Sequence, residues 1–284
     1  MFQLFYRLSR ALLWLLIAAY IPARLTVMTA ISPGTQEDVT AGTPTASRTA
    51  RERARTELTR EIKAEARRQL AIDGASQLSL RAVARELGMA SSAIYRYFPS
   101  RDELLTELII DAYDSLGAHA EGAERAVPRD DIRGRWRAAC GAVRNWALAH
   151  PHQYALIYGS PVPGYQAPQA TIAPAGRVAL IIGGVLADSP SATLAGSDDT
   201  AAAGAAAVSL RPALAEQVAG VAAVIAPGVP EPVIARALIA WTQLFGMISF
   251  EQFGQLVGSV DPSDDFFAFA VEQMADFVGL PAQA

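Results

Sequence analysis

Ser79-Leu-Arg-Ala-Val-Ala-Arg-Glu-Leu-Gly-Met-Ala-Ser-Ser-Ala-Ile-Tyr-Arg-Tyr-Phe98 reads as two short helices broken by a tight turn, with a small polar helix start at Ser91. Gly88 supplies the turn, because positive φ is cheap only without a Cβ. Ala84 stands where the two helices cross, and a bulkier side chain there would push them apart. Ile94 on the second helix points back toward Leu80, Val83 and Leu87 on the first. A small residue, a Gly four positions later and an aliphatic residue six after that is the internal spacing of a helix-turn-helix. The same residues also suit an ordinary helical hairpin in an all-α core, so the flanks decide.

Upstream, Leu58, Ile62, Ala66 and Leu70 share one helix face, and Asp73-Gly74 is a fitting stop. The opposite face carries Arg55, Arg60, Lys63, Arg67 and Arg68 among Glu57, Glu61 and Glu65, close enough for local pairing. Downstream, Phe98-Pro-Ser100 ends the second helix, and Ser100-Arg-Asp-Glu103 reads as a capping box. It opens a long helix with Leu104, Leu105, Leu108, Ile109 and Ala112 as its apolar stripe. Leu80-Arg-Ala-Val-Ala84, Gly88 and Ile94-Tyr-Arg-Tyr-Phe-Pro-Ser-Arg-Asp-Glu-Leu-Leu105 resemble the N-terminal domain of TetR-type (tetracycline-repressor-like) transcriptional regulators, over roughly residues 55 to 116.

The resemblance implies an all-α chain with an N-terminal three-helix helix-turn-helix DNA-binding domain and a helical C-terminal domain for ligand binding and dimerisation. It places the start of the second helix in the major groove, with Ala90, Ser91, Ser92, Ala93 and Arg96 near base edges. It sets Tyr95 and Tyr97 against the phosphate backbone, Tyr97 standing where the family commonly has His. Arg101 replaces the family's usual Lys as a phosphate-pairing cation, and Arg can hold a phosphate in bidentate fashion. Base readout is thin, since serines are promiscuous and Ala90 and Ala93 reach only a thymine methyl. Arg96 either pairs with guanine, holds a phosphate or remains a free surface charge.

The charge pattern agrees with this reading. The whole chain carries a formal net charge of -4. From Arg48 to Arg101, however, there are twelve Lys or Arg against six Asp or Glu, whereas from Leu186 onward two Arg face eleven acids. A basic segment confined to the helix-turn-helix is the electrostatic footprint of a DNA reader joined to an acidic second domain. Cys140 is the single cysteine, so no disulfide forms within one chain, and it reads as a small packed residue. His150-Pro-His152 reads as a solvated turn at a helix end. No cofactor, metal site or catalytic set is expected.

Residues 1–27 contain an apolar run, Ala11 to Ile21, that as a helix spans about 16 Å, half a bilayer core. Three readings stand: translation starting at Met28, a membrane-surface anchor, or a structural or processed segment. Residues 28–50 read as a disordered tail, 51–118 as the DNA-binding domain with its helix-turn-helix at 79–98, and 125–284 as the regulatory and dimerisation domain. Residues 187–206 are a low-complexity insertion.

In the second domain, helices are expected over 132–149, 177–186, 208–225 (weak, interrupted by Pro212), 231–257 and 264–278. Trp136, Trp146, Tyr154, Tyr158, Tyr165 and Trp241 are the candidate lining of an apolar effector pocket. By the resemblance, the last two helices pair with their symmetry mates, which makes Trp241, Phe245, Ile248, Phe266, Phe269, Met274 and Phe277 the candidate dimer interface. The expected partners are an operator duplex, a second copy of the chain and a largely apolar small molecule. The expected setting is cytoplasmic and nucleoid-associated. The rival classes are a membrane-tethered regulator using residues 1–27 and a helical small-molecule enzyme.

Overall fold

The computed structural model describes residues 46–190 and 210–282, with helices and no strand among them. Segment 1–27, most of the tail 28–50 and most of the insertion 187–206 lie outside the described residues. The end of that tail is a correction: α1 spans Ala46–Asp73, so residues 46–50 are already helical. The helix stops at Gly74, which takes φ 77°.

A 3-10 turn at Ala75–Gln77 leads to α2, Leu80–Glu86, where Ser79 Oγ accepts the Ala82 N–H at 3.4 Å. After Gly88, at φ 63°, comes α3, Ser91–Ile94. The long α4 spans Arg101–Arg125, its first turn capped by Ser100 Oγ accepting from Glu103 N–H at 3.1 Å. Ile62, Ala66, Val83, Ala84, Ile94 and Leu104 meet in one core and are each fully buried.

Among the described residues six helices follow: α5 Ile132–Ala149, α6 Pro151–Tyr158, α7 Ile172–Ala187, α8 Pro212–Ile225, α9 Glu231–Gln252 and α10 Asp264–Val278. Pro212 opens α8 rather than interrupting it, as suits a residue with no N–H to satisfy in the first turn. Helix α9 ends five residues before Val257, where Gly254 and Gly258 take φ 73° and 78°. Helix α4 runs on to Arg125, past the expected end of the DNA-binding domain at residue 118. Two described segments, Gln169–Ala187 and Glu231–Gln252, are long and apolar enough to cross a membrane, and both contribute to the second core.

Helix α4 belongs to both cores. Leu104, Leu105 and Leu108 pack in the first, and Ala112, Leu116 and Ala120 in the second. At its crossing with α7 a Cβ on Gly117 would stand 2.6 Å from Arg177 Nε. One on Gly183 would stand 2.1 Å from the Ile225 carbonyl oxygen, so α7 and α8 touch through backbone.

Helix α5 is the arginine-rich strut of the second domain. Arg144 donates to both Glu251 oxygens at 2.6 and 2.7 Å and to Asp264 at 2.9 Å, joining α5 to α9 and α10. Arg133 and Arg137 both engage Glu272, and Arg133 also pairs with Asp276. Arg135 is 1% exposed and donates to Glu124 on α4 at 2.6 Å and to Asp188 at 2.9 Å.

Burial pushes the Cys140 thiol up to about 12 and the Tyr154 hydroxyl up to about 12, the latter opposed by its hydrogen bond with Ser249. Between pH 9 and 12 the unfolded chain therefore releases protons that the native state keeps, so it binds fewer. This contribution is intact below about pH 9 and is lost as pH rises. Denaturant titrations from pH 8 to 11 should show stability falling by up to about 1.4 kcal/mol per pH unit for each group. A Cys140→Ala variant should fall less steeply, and an unchanged slope would mean the thiol titrates normally.

Candidate nucleic-acid interface

The helix-turn-helix presents its expected reading surface on a buried anchor. Ile94 and Phe98, 0% and 4% exposed, hold the second helix against Leu80 and Val83. Helical turns continue beyond α3, with Tyr97 N–H bonded to Ile94 O at 2.9 Å and Phe98 N–H to the same oxygen at 3.0 Å. With the apolar side fixed, Ala90, Ser91, Ser92, Tyr95 and Arg96 are left exposed together, while Ala93 and Tyr97 are half-buried. The exposed groups are two hydroxyls, a phenol and a guanidinium, so they can donate to phosphate or to base edges.

Arg101 is placed otherwise. Its Nε donates to Leu78 O at 3.1 Å, one terminal nitrogen to Ala75 O at 2.8 Å and Ser76 O at 3.3 Å, and the other to Asp102 at 3.2 Å. Those bonds close the link between α1 and α2. Arg101 thus engages backbone carbonyls of the α1–α2 link, while its bonds to Ser76 and Asp102 lie at the exposed surface. Only the tertiary fold brings the carbonyls of residues 75–78 to a side chain more than twenty residues away.

Arg55, which sequence reasoning left as one of several surface cations, reaches the recognition segment. Its guanidinium donates to Arg96 O at 3.3 Å and lies over the Tyr97 ring, 5.5 Å from the centroid. The cations further along α1 are spent internally. Arg68 pairs with Glu65 at 2.7 Å, and Lys63 ties α1 to Glu107 and Asp111 of α4 at 2.8 and 3.0 Å.

The six aromatic residues expected to line one pocket do not form one wall. Trp136, Trp146 and Tyr154 are at most 2% exposed and have their polar atoms paired. The Trp136 indole N–H donates to Val271 O at 3.0 Å and that of Trp146 to Ser115 Oγ at 2.9 Å. The Tyr154 hydroxyl donates to Phe245 O at 3.0 Å. Tyr165 packs on the first core and shares a hydrogen bond with Thr106 at 2.9 Å. What does assemble is a row of rings: Tyr113 edge-on to Tyr158 at 6.0 Å, Tyr158 on Phe245 at 4.2 Å, and Phe245 on Trp241 at 4.7 Å. Ile157, next to Tyr158, packs against both cores.

The candidate interface residues also divide. Phe245, Ile248 and Met274 point inward, 8%, 0% and 1% exposed, and Trp241 is half-buried. Phe245, Ile248 and Met274 are therefore core residues, not interface. Phe266, Phe269 and Phe277 face outward, joined by Ile239, Phe250, Phe253 and Val257, which the sequence reading missed. Ile239 and Phe250 lie on α9, whereas Phe253 and Val257 follow its end at Gln252, so helical spacing alone does not connect the four.

Comparison with known proteins agrees with this architecture. The family described as bacterial regulatory proteins, tetR family, matches residues 62–108, and the tetracyclin repressor-like C-terminal domain matches 136–274. HTH-type transcriptional regulator Rv1816 of Mycobacterium tuberculosis (strain ATCC 25618 / H37Rv) is 56% identical over 107 residues. That stretch is 36% of this chain and 44% of the relative, so less than half of the curated relative is spanned. Mb1846 of Mycobacterium bovis matches to the same extent. The crystal structure of SCO4313, provisionally described as a regulatory protein, is 34% identical with a TM-score of 0.64, covering 79% of this chain and 98% of that one. A protein of unknown function from Rhodococcus sp. RHA1 is 25% identical with a TM-score of 0.52, covering 79% and 96%. With both regions matched in order and almost the whole of SCO4313 aligned, the chain belongs to the TetR family of bacterial regulatory proteins.

Proposed function

We propose that the chain is a DNA-binding transcriptional regulator, a non-catalytic homodimeric repressor that acts on a near-palindromic operator and is released by a largely apolar effector. The observation that carries this reading is the exposed set Ser91, Ser92, Tyr95 and Arg96, held on the Ile94–Phe98 anchor in the basic part of the chain. A cytoplasmic, nucleoid-associated setting follows from the DNA partner. Residues 51–118 act as the reading domain and 125–284 as the sensing and pairing domain. The outward phenylalanines of α9 and α10 support pairing, because an apolar stripe on two adjacent helices gains by meeting its own copy. Pairing would set two recognition helices about 34–36 Å apart, one DNA turn.

Genomic fragments selected by the protein, followed by salt-titrated binding, test the reading. Arg96→Ala should leave the melting temperature unchanged and weaken operator binding. If Arg96 reads a base, the cost is about 1–3 kcal/mol at one position per half-site; if it holds a phosphate, all sequences weaken alike. Arg101→Ala should instead lower the melting temperature and keep the salt slope of the wild type. Failure to retain DNA at low salt would sink the proposal.

The effector is expected to engage the half-buried rings of Tyr158 and Trp241, where the aromatic row meets Ile157 and so the first core. A coupling of about 1–3 kcal/mol would lower operator affinity about 5–150-fold, and linkage requires operator DNA to weaken effector binding by the same factor. Calorimetry of an effector with and without operator measures this. Equal affinities in the two titrations would exclude a regulatory role for that ligand.

A further inference from the structure

Helix α1 begins sixteen residues before Ile62, its first fully buried side chain, so about 24 Å of helix precedes that anchor. Residues 50–57 are exposed throughout, and Leu58 is the first half-buried apolar side chain. Among the described residues no core packing holds this stretch. It is joined to the rest of the domain by Arg55, whose guanidinium bonds the Arg96 carbonyl and covers the Tyr97 ring. The face of α1 that bears Arg55 is therefore turned toward the C-terminal end of the recognition segment.

Arg51 lies one turn earlier on that face, four residues from Arg55, and is exposed with no hydrogen bond or ion pair to any described residue. Arg53 sits about 200° around the helix from Arg51, with its Nε bonded to Thr49 O at 3.4 Å. The cations further along α1 are neutralised by Glu57, Glu65, Glu107 and Asp111. Uncompensated positive charge thus continues from Arg96 onto Arg51.

We propose that the start of α1 is a second DNA-contacting element, in which Arg51 holds a phosphate next to the base pairs faced by Ser91, Ser92 and Arg96, and Arg55 positions the helix for that contact. The inference rests on the DNA-binding reading above. Its occupant is the sugar-phosphate backbone: the face has charge complementarity and is continuous with the recognition surface.

The test uses the full chain and a 30-base-pair duplex of arbitrary sequence, with binding followed by anisotropy over a salt series. Arg51→Ala should lower the salt slope by about 1.8 units per bound dimer, the share of one phosphate from each copy. Arg51→Lys should restore it, since a point charge suffices. Arg53→Ala makes the same change in net charge on the other face and should keep the wild-type slope. A wild-type slope for Arg51→Ala, with DNA still bound, overturns the second element and leaves the DNA-binding reading intact. Equal losses for Arg51→Ala and Arg53→Ala also overturn it, as a diffuse charge effect. An unchanged DNA slope combined with Arg51-dependent binding to phosphatidylglycerol vesicles would reassign the face to a membrane surface. Absence of any DNA binding by the wild type would defeat the underlying reading itself.

Discussion

Phe250→Glu should leave the protein folded but separate its copies, and operator affinity should fall by orders of magnitude. Phe250 is 57% exposed on α9, so the substitution disturbs little within one chain. In a two-fold interface the same ring is buried twice. Losing two phenylalanines at about 1.5–3 kcal/mol each amounts to roughly 3–6 kcal/mol, or about 10²–10⁴ in dimer affinity. Placing two carboxylates in an apolar seam adds to that cost. A monomer then reads a single half-site, with a single recognition segment. Sedimentation velocity and operator titration measure the two effects, and thermal melting controls for folding. A Phe250→Glu protein that remains dimeric would show that α9 and α10 do not form the interface.

Arg135→Ala should cost about 3–5 kcal/mol of stability, the usual consequence of removing one member of a buried ion pair. Arg135 is 1% exposed, and it faces Glu124, 8% exposed, and Asp188. Arg129 also pairs with Glu124 at 3.3 Å, but it is exposed and offsets only part of the stranded charge. The double change Arg135→Met with Glu124→Leu removes both charges at similar volume and should recover most of the loss. Denaturant midpoints of wild type, single and double variants decide the matter. A double variant as unstable as Arg135→Ala would show that packing around the guanidinium, rather than the orphaned carboxylate, is what matters.

The helix-turn-helix was legible because its signals are local. Gly88, Ala84 and Ile94 act within twenty residues, and the capping Ser100 acts within four. The all-α class came with the family resemblance that these residues carry. The outer face of α9 was not legible in the same way, because this helix is apolar nearly all round. Ile248 and Phe250 sit two residues apart, yet one is 0% and the other 57% exposed. Composition alone does not say which side meets the body of its own chain. The carbonyl partners of Arg101 were hidden for a related reason: a guanidinium can satisfy a phosphate or a cluster of backbone carbonyls, and only the fold brings Ala75, Ser76 and Leu78 within its reach. The ring of Tyr165 lies far along the chain from the first domain but bonds Thr106 within it. The arginines of α5 gave no pattern in sequence, because Glu272, Glu251 and Glu124 come from three different helices.

The placement of Leu156, Ile157, Val162 and Tyr165 against the first core bears on any attempt to graft this reading head onto another sensor. A chimera spliced in the middle of α4 would keep the continuous helix yet strip these side chains from the Leu104–Ile109 side of the bundle. An apolar patch would open on the reading head, and the Thr106 hydroxyl would lose its phenol partner. A working exchange must therefore carry α6 and the loop to Tyr165 with the reading head, although the chain passes through α5 first. In this molecule the portable unit is discontinuous.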